Sequence, residues 1–217
     1  MNILIKLGIL VEFIKEMKSI ILDLCGGTGS WSKPYLEAGF DVKVITLPEY
    51  DVTDKKIQDY CISLNPIGIL AAPPCTMFSF ARTNAKAPRD LQEGMRIVQA
   101  CLDIIWACQY KIKSDTQKYS PLKFWALENP NAMLKWFLGK PAFIFSPYDF
   151  GDNYKKKTCL WGMFNEPIKT PIKYTSSKFD CMKSKDIHPE YFGKYDRQTR
   201  RSITPQGFAK AFYEANK

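Results

Sequence analysis

The 217-residue sequence predicts an α/β fold, a mainly parallel sheet with helices on both faces. Three observations predict it. Short apolar runs alternate along the chain with helical segments. The first run, "SIILDLC" (19–25), ends directly in a glycine turn, as a buried strand feeding a helix does. The segment 90–112 places Met95, Val98, Cys101, Leu102, Ile105 and Cys108 on one helical stripe, a face made to cover such a sheet.

The elements follow in order. Ile3, Leu7, Leu10 and Ile14 recur at helical spacing, so residues 1–18 read as an amphipathic helix, too charged for a membrane span or a secretory leader. Met17 is an equally good start, which would make that helix dispensable. After strand 19–25, "SKPYLEAG" is a helix stopped by Gly39, "FDVKVITL" (40–47) a second strand, "DVTDKKIQDYCISL" a helix or helical turn and "IGILAAP" a third strand. Beyond helix 90–112, "KFWALENP" is a strand, "NAMLKWFLG" a short helix closed by Gly139 and "TCLWGMF" (158–164) a later strand. Thr204-Pro205 starts a C-terminal helix. The division this implies is an N-terminal helix (1–18), a main domain (19–164), a small basic insertion (165–199) and a returning helical tail (200–217).

Composition limits the partners. Residues 1–150 carry 17 Lys/Arg against 15 Asp/Glu, net +2; residues 151–217 carry 14 against 7, net +7. A basic last third beside a near-neutral body fits a polyanion footprint, or a solvated lysine-rich face. Seven cysteines without paired spacing point to reduced thiols in a cytoplasm. His188 is the only histidine, and with Cys159 and Cys181 it lacks the close ligand pairs of a zinc site, so no metal is expected.

Three strand ends carry the candidate chemistry, as sheets of this kind bind ligands at their carboxyl ends. "DLCGGTGSW" is neither a phosphate loop nor a G-x-G-x-x-G turn. Asp23 before it, and Glu49 and Asp51 after the next strand, would repel a pyrophosphate and suit a cationic nucleoside; S-adenosylmethionine fits better than NAD. The plain alternative is an ordinary strand–helix turn. In "AAPPCTMFSFAR" two prolines stiffen the approach to Cys75, which is either a nucleophile with a lowered pKa near Arg82 or a small buried apolar residue. Glu128 in "ALENP" is either a buried acid kept protonated or a helix cap. In "GDNYKKKTCLWG", alternation would send Asn153, Lys155 and Lys157 to one face, suited to phosphate and base edges; the alternative is a solvated strand start.

In this order the segments resemble the DNA (cytosine-5) methyltransferases. "DLCGGTGSW…LEAGF" is similar to their first motif and "APPCTMFSFA" resembles their catalytic P-C-x-x-F-S motif. "ENP" stands where that family has Glu-Asn-Val, "NYKKKTCLWG" keeps the spacing of its Q-x-R-x-R segment, and "RRSITPQGFAKAF" resembles its closing motifs. The resemblance implies a Rossmann-like S-adenosylmethionine-dependent fold and methylation of cytosine C5 in DNA, duplex with a flipped base or single-stranded. It implies Cys75 as the attacking thiolate, Glu128 as the group holding N3, and Lys157 and Lys155 as supporting cations. For the cofactor it implies Asp23, Cys25, Gly26, Gly27, Thr28, Gly29, Trp31, Thr46, Leu47, Glu49, Asp51 and Pro73. For nucleic acid it implies Ser79, Arg82, Asn153, Lys155, Lys156, Arg200 and Arg201. Cys25 replaces the family's phenylalanine and Thr46 its ribose-binding acid. Only about 40 residues separate "CLWG" from "RRSITP", against ~100–200 for an independent domain. A short target site, low specificity or a specificity partner protein is therefore expected, with Tyr174, Phe179, Tyr191, Phe192 and Tyr195 interleaved among the lysines of 165–201 to grip the phosphate backbone. RNA or free-nucleotide methylation, and a non-catalytic binding protein, are the competing expectations; the resemblance also fits a compact, phage-like enzyme in a bacterial or phage-infected cell.

Overall fold

The computed structural model describes residues 18–82, 85–110, 121–174 and 191–217. The expected N-terminal helix, Phe179, Cys181 and His188 lie outside the described residues.

Six strands form one sheet: β1 Ile20–Leu24, β2 Asp41–Ile45, β3 Gly68–Ala71, β4 Phe124–Pro130, β5 Phe143–Phe145 and β6 Thr158–Met163, in the order β2-β1-β3-β4-β6-β5. The first four in that order are parallel neighbours, whereas β6 runs antiparallel to both β4 and β5. The sheet is therefore mixed, with β6 alone running against the other strands, where a mainly parallel sheet is expected. The reason is local: β5 reaches β6 through a 3-10 turn at Pro147–Phe150 and a loop, without the helical crossover that a parallel return needs.

Period-two alternation sorts side chains onto the two faces. Leu22, Leu24, Ile69, Ala71 and Leu127 face α2 (Lys55–Ser63) and α3 (Leu91–Gln109), where Cys61, Val98, Cys101 and Ile105 meet them. Ile21, Leu70, Phe124, Ala126 and Leu160 face the other way, toward Tyr35 of α1 (Lys33–Glu37) and Phe208 and Phe212 of α6 (Gln206–Ala215). Helices therefore cover both faces. The predicted stripe on α3 is buried from Val98 to Cys108, so Cys101 and Cys108 are core residues.

Two elements escaped the sequence reading besides the 3-10 turn: β5 and α5 (Arg197–Ser202). The short helix after β4 is α4 (Lys135–Leu138). Residues 165–174 lie across the 3-10 turn, where Thr170 and Ile172 donate their N–H groups to the carbonyls of Asp149 and Tyr148. Among the described residues, no helix is long and apolar enough to cross a membrane.

Candidate active site at the sheet switch point

The chain runs from β1 to β2 on one side and then to β3 on the other side of β1. That reversal opens a crevice between the carboxyl ends of β1 and β3. The glycine turn leaves β1 there, and the Pro73-Pro74-Cys75 loop leaves β3. The Ala72 N–H still donates to the Leu24 carbonyl at 2.9 Å, so the two loops start side by side.

The glycine turn is built over a buried carboxylate. Asp23 is fully buried and accepts the Ser32 hydroxyl at 2.6 Å through Oδ2, while Oδ1 is buried with no partner. Burial raises its pKa from 3.8 to about 6, against the lowering pull of Ser32. Gly26 lies directly above: a Cβ there would stand 2.4–2.7 Å from the carboxyl atoms. Cys25 and Gly27 take left-handed φ of 56° and 54°. The Cys25 sulfur sits 3.9 Å from that of Cys101. Gly29 closes the turn by donating to the Gly26 carbonyl, and the Thr28 and Ser30 hydroxyls meet each other. Gly27 and Thr28 are the exposed part of the turn.

Two of the residues expected to touch a cofactor point elsewhere. Trp31 is only 2 % exposed and packs against Phe208 and Phe212, with centroids 5.8 and 5.4 Å away, because an indole this large completes the core under α6. Asp23 is likewise turned inward. After β2, Thr46 is half-buried, and Leu47, Glu49 and Asp51 are exposed. Asp51 accepts both the N–H and the hydroxyl of Thr53, which hold its carboxyl below the usual range.

The Cys75 loop is held by several anchors. The buried Asn129 side chain donates to the Pro73 carbonyl at 3.0 Å. The Cys75 carbonyl accepts from Phe78 and Ser79, making a tight turn. Phe78 is fully buried, and its carbonyl accepts from Met133. Arg89 donates to the carbonyls of Met77 and Ser79, each at 2.8 Å. Gly94 lets α3 pass beneath, since a Cβ would come within 3.0 Å of Met77 and Phe78. The Ser79 hydroxyl is occupied locally, accepting from the Ala81 N–H, and Arg82 is half-buried at the end of the loop.

Cys75 is half-buried, and burial, a backbone hydrogen bond and three charged side chains set its charge. Burial pushes the thiol pKa up; Lys156 pulls it down, Glu128 pushes it up, and Arg201 pulls it down more weakly. The net direction is upward. This corrects the expectation of a lowered thiol: loss of water outweighs the nearby cations. Glu128 is also raised by burial, with Lys156 opposing, and its Oε1 is buried without a partner. The antiparallel register pairs Glu128 with Leu160 and Pro130 with Thr158, which brings the start of β6 beside the acid.

Alternation fails over 153–157, because β6 begins only at Thr158. Lys156 is the half-buried lysine whose charge acts on both Cys75 and Glu128. Lys155 and Lys157 are exposed; Lys155 lies over the Tyr174 ring at 4.3 Å, and Lys157 acts on Cys159. Asn153 is half-buried in the preceding bend. On α5, Arg200 stacks over Phe192 at 4.1 Å, while Arg201 reaches Cys75 electrostatically. Of the site groups described above, the surface recesses at the α1–α6 seam and at the amino end of β4 involve only Ser30, at the edge of the former.

Two positioning residues were missed by sequence reasoning. Asn129 had a signal: it follows Glu128, so alternation turns it to the opposite face, toward the β3 loop. Arg89 had none, since its partners are backbone carbonyls. Compared with known proteins, the chain matches no family model and no curated protein.

Proposed function

We propose that the protein methylates cytosine C5 in DNA with S-adenosylmethionine, through a covalent bond between Cys75 and C6 of a base taken out of its stack. One observation supports this reading: a thiol just after β3 and a buried carboxylic acid on the neighbouring β4 stand close enough that the acid acts on the thiol's charge, Lys156 acts on both, and Arg201 acts on the thiol. The crevice beside them begins at the glycine turn.

The residues present fit the donor. Gly27 and Thr28 offer exposed backbone, and the exposed acids Glu49 and Asp51 suit a cationic nucleoside with ribose and amino groups to bind. When bound, S-adenosylmethionine supplies an electrophilic methyl group on a sulfonium. The chain's own groups do the rest. Cys75 adds to C6 as a thiolate, its ionisation favoured by Lys156 and Arg201 against burial. Glu128, whose proton-bearing form burial favours, places that proton at N3 and neutralises the charge that addition pushes into the ring. C5 then takes the methyl group, whose bond to the sulfonium breaks to leave a neutral thioether; solvent takes the C5 proton, the C6–S bond breaks to return the thiolate, and N3 returns its proton to Glu128.

The basic tail supports a polyanion as substrate, with Arg201 linking α5 to the site. Residues 165–174 lie along the 3-10 turn, which supports a short recognition site or a partner protein supplying specificity. The experiment is transfer of labelled methyl from S-adenosylmethionine to duplex DNA, single-stranded DNA, tRNA or dCMP, with Cys75→Ser as control. Label in DNA that the variant abolishes is expected. Label confined to tRNA or dCMP would move the substrate to RNA or nucleotide, and cofactor binding without transfer would make the protein a non-catalytic binder.

A further inference from the structure

Three aromatic side chains stand in solvent beside the Cys75 loop: Phe80 is 54 % exposed, Trp136 63 % and Phe137 47 %. Phe80 follows directly on the turn that Cys75 closes with Ser79. Trp136 and Phe137 belong to α4, shortly after the strand end that carries Glu128 and Asn129. The two sets are tied together: Met133 donates to the Phe78 carbonyl, Phe137 meets the buried Phe78 ring at 6.2 Å, and Phe80 meets Trp136 at 6.0 Å with planes tilted by 55°. Exposed aromatic clusters of this kind mark contact surfaces.

Cations flank the rings along the sequence. Lys135 precedes Trp136, and its charge acts with that of Lys157 on the same buried Cys159. Arg82 lies two residues beyond Phe80. Aromatic faces among cations are the chemistry that holds unpaired nucleic acid: phosphates meet the cations and bases lie on the rings. A paired duplex keeps its base faces covered and has no use for the rings. The patch is continuous with the Cys75 turn, so a strand threaded to that thiol would cross it.

We propose that Phe80 and Trp136 stack unpaired bases of single-stranded DNA next to the base held at Cys75. The choice of DNA rests on the methyltransferase reading; the stacking itself is measured without cofactor or turnover. The probe is a fluorescein-labelled single strand of about 20 nucleotides, long enough to span a site of this kind, followed by anisotropy. Phe80→Ala and Trp136→Ala are each expected to weaken binding about tenfold. Trp136→Tyr is expected to stay within about threefold, since a π-face remains. A blunt duplex of the same sequence should change less than about twofold with either alanine, because its affinity comes from phosphate contacts. Both alanine sites are exposed, so unchanged melting temperatures will verify intact folds.

Single-strand affinity within about twofold of the parent in both alanine variants would overturn the proposal. So would equal losses on single strand and duplex, or a parent protein that prefers single-stranded RNA or does not bind the single strand. The methyltransferase reading fails separately. A protein that binds as expected but transfers no methyl group keeps the stacking surface and loses the enzyme; one that methylates duplex DNA while both alanine variants bind normally does the reverse.

Discussion

Replacing Asp23 by Asn removes the one buried carboxyl beneath the glycine turn, and its effect on stability should depend on pH. In the folded chain the Asp23 pKa is about 6, against 3.8 ordinarily, because burial disfavours the charged form. The folded state therefore holds this proton more tightly than the unfolded state. Its contribution is most favourable below the unfolded pKa and is lost as pH rises through about 6. The difference corresponds to about 3 kcal/mol of destabilisation at neutral pH, of which about 2 kcal/mol develops between pH 4.5 and 7.5. No solvent discount applies, since Asp23 is fully buried. In the variant the amide oxygen can still accept from Ser32, but its NH2 takes the place of the unpartnered Oδ1, so a fixed, pH-independent offset is expected. The pH-dependent part is the test. Urea unfolding of both proteins at pH 4.5 and 7.5 should show Asp23→Asn gaining about 2 kcal/mol on the parent at the higher pH. A difference that stays constant to within about 0.5 kcal/mol, or changes in the opposite direction, would refute the assignment of a buried, proton-holding carboxyl.

Two further predictions concern the Cys75 loop. Asn129→Ala leaves the Pro73 carbonyl without its donor and should lower stability by about 1–3 kcal/mol in urea unfolding. It should also slow methyl transfer more than it weakens DNA binding, because it frees the loop that aims Cys75 rather than the surface that grips the polymer. Alkylation of Cys75 by iodoacetamide, followed by peptide mass spectrometry, should rise with a midpoint above the ordinary thiol value of about 8.5. Lys156→Gln should move that midpoint higher still, since it removes the cation that pulls hardest on the thiol; a midpoint below about 8.5 in the parent would contradict the finding that burial dominates.

Most of the fold was legible because its elements announce themselves locally. The α3 stripe has a clean helical period, and the runs that became β1, β3 and β4 end in glycine or proline at the crevice. What was not legible depended on distant contacts. β5 is three residues, Phe143–Phe145, too short for alternation to register. α5 reads "RQTRRS", with no apolar face; what starts it is the Asp196 side chain accepting the Thr199 N–H. The direction of β6 is set by its partners, and no pattern within "TCLWGM" encodes it.

The site divides in the same way. Cys75 and Glu128 could be picked out because unusual residue types stand at strand ends. Choosing among Lys155, Lys156 and Lys157 needed the point where β6 begins, and the two-residue alternation rule was applied to a stretch that is not yet strand. Trp31 sits in a motif-like turn, but its size decided its place: the core under α6 takes the indole. The raised thiol of Cys75 depends on burial by groups far away in sequence, and the cations in its own segment gave the opposite expectation.

Trapping the base is the most direct test of the central claim. DNA in which 5-fluorocytosine replaces cytosine cannot lose a proton from C5 after methyl addition, so the C6–sulfur bond should persist. In the presence of S-adenosylmethionine, a protein–DNA complex stable to denaturation should form, with the cross-linked peptide containing Cys75. Cys75→Ser should form none. An absent complex despite binding of both DNA and cofactor, or one that survives in the serine variant, would contradict the account.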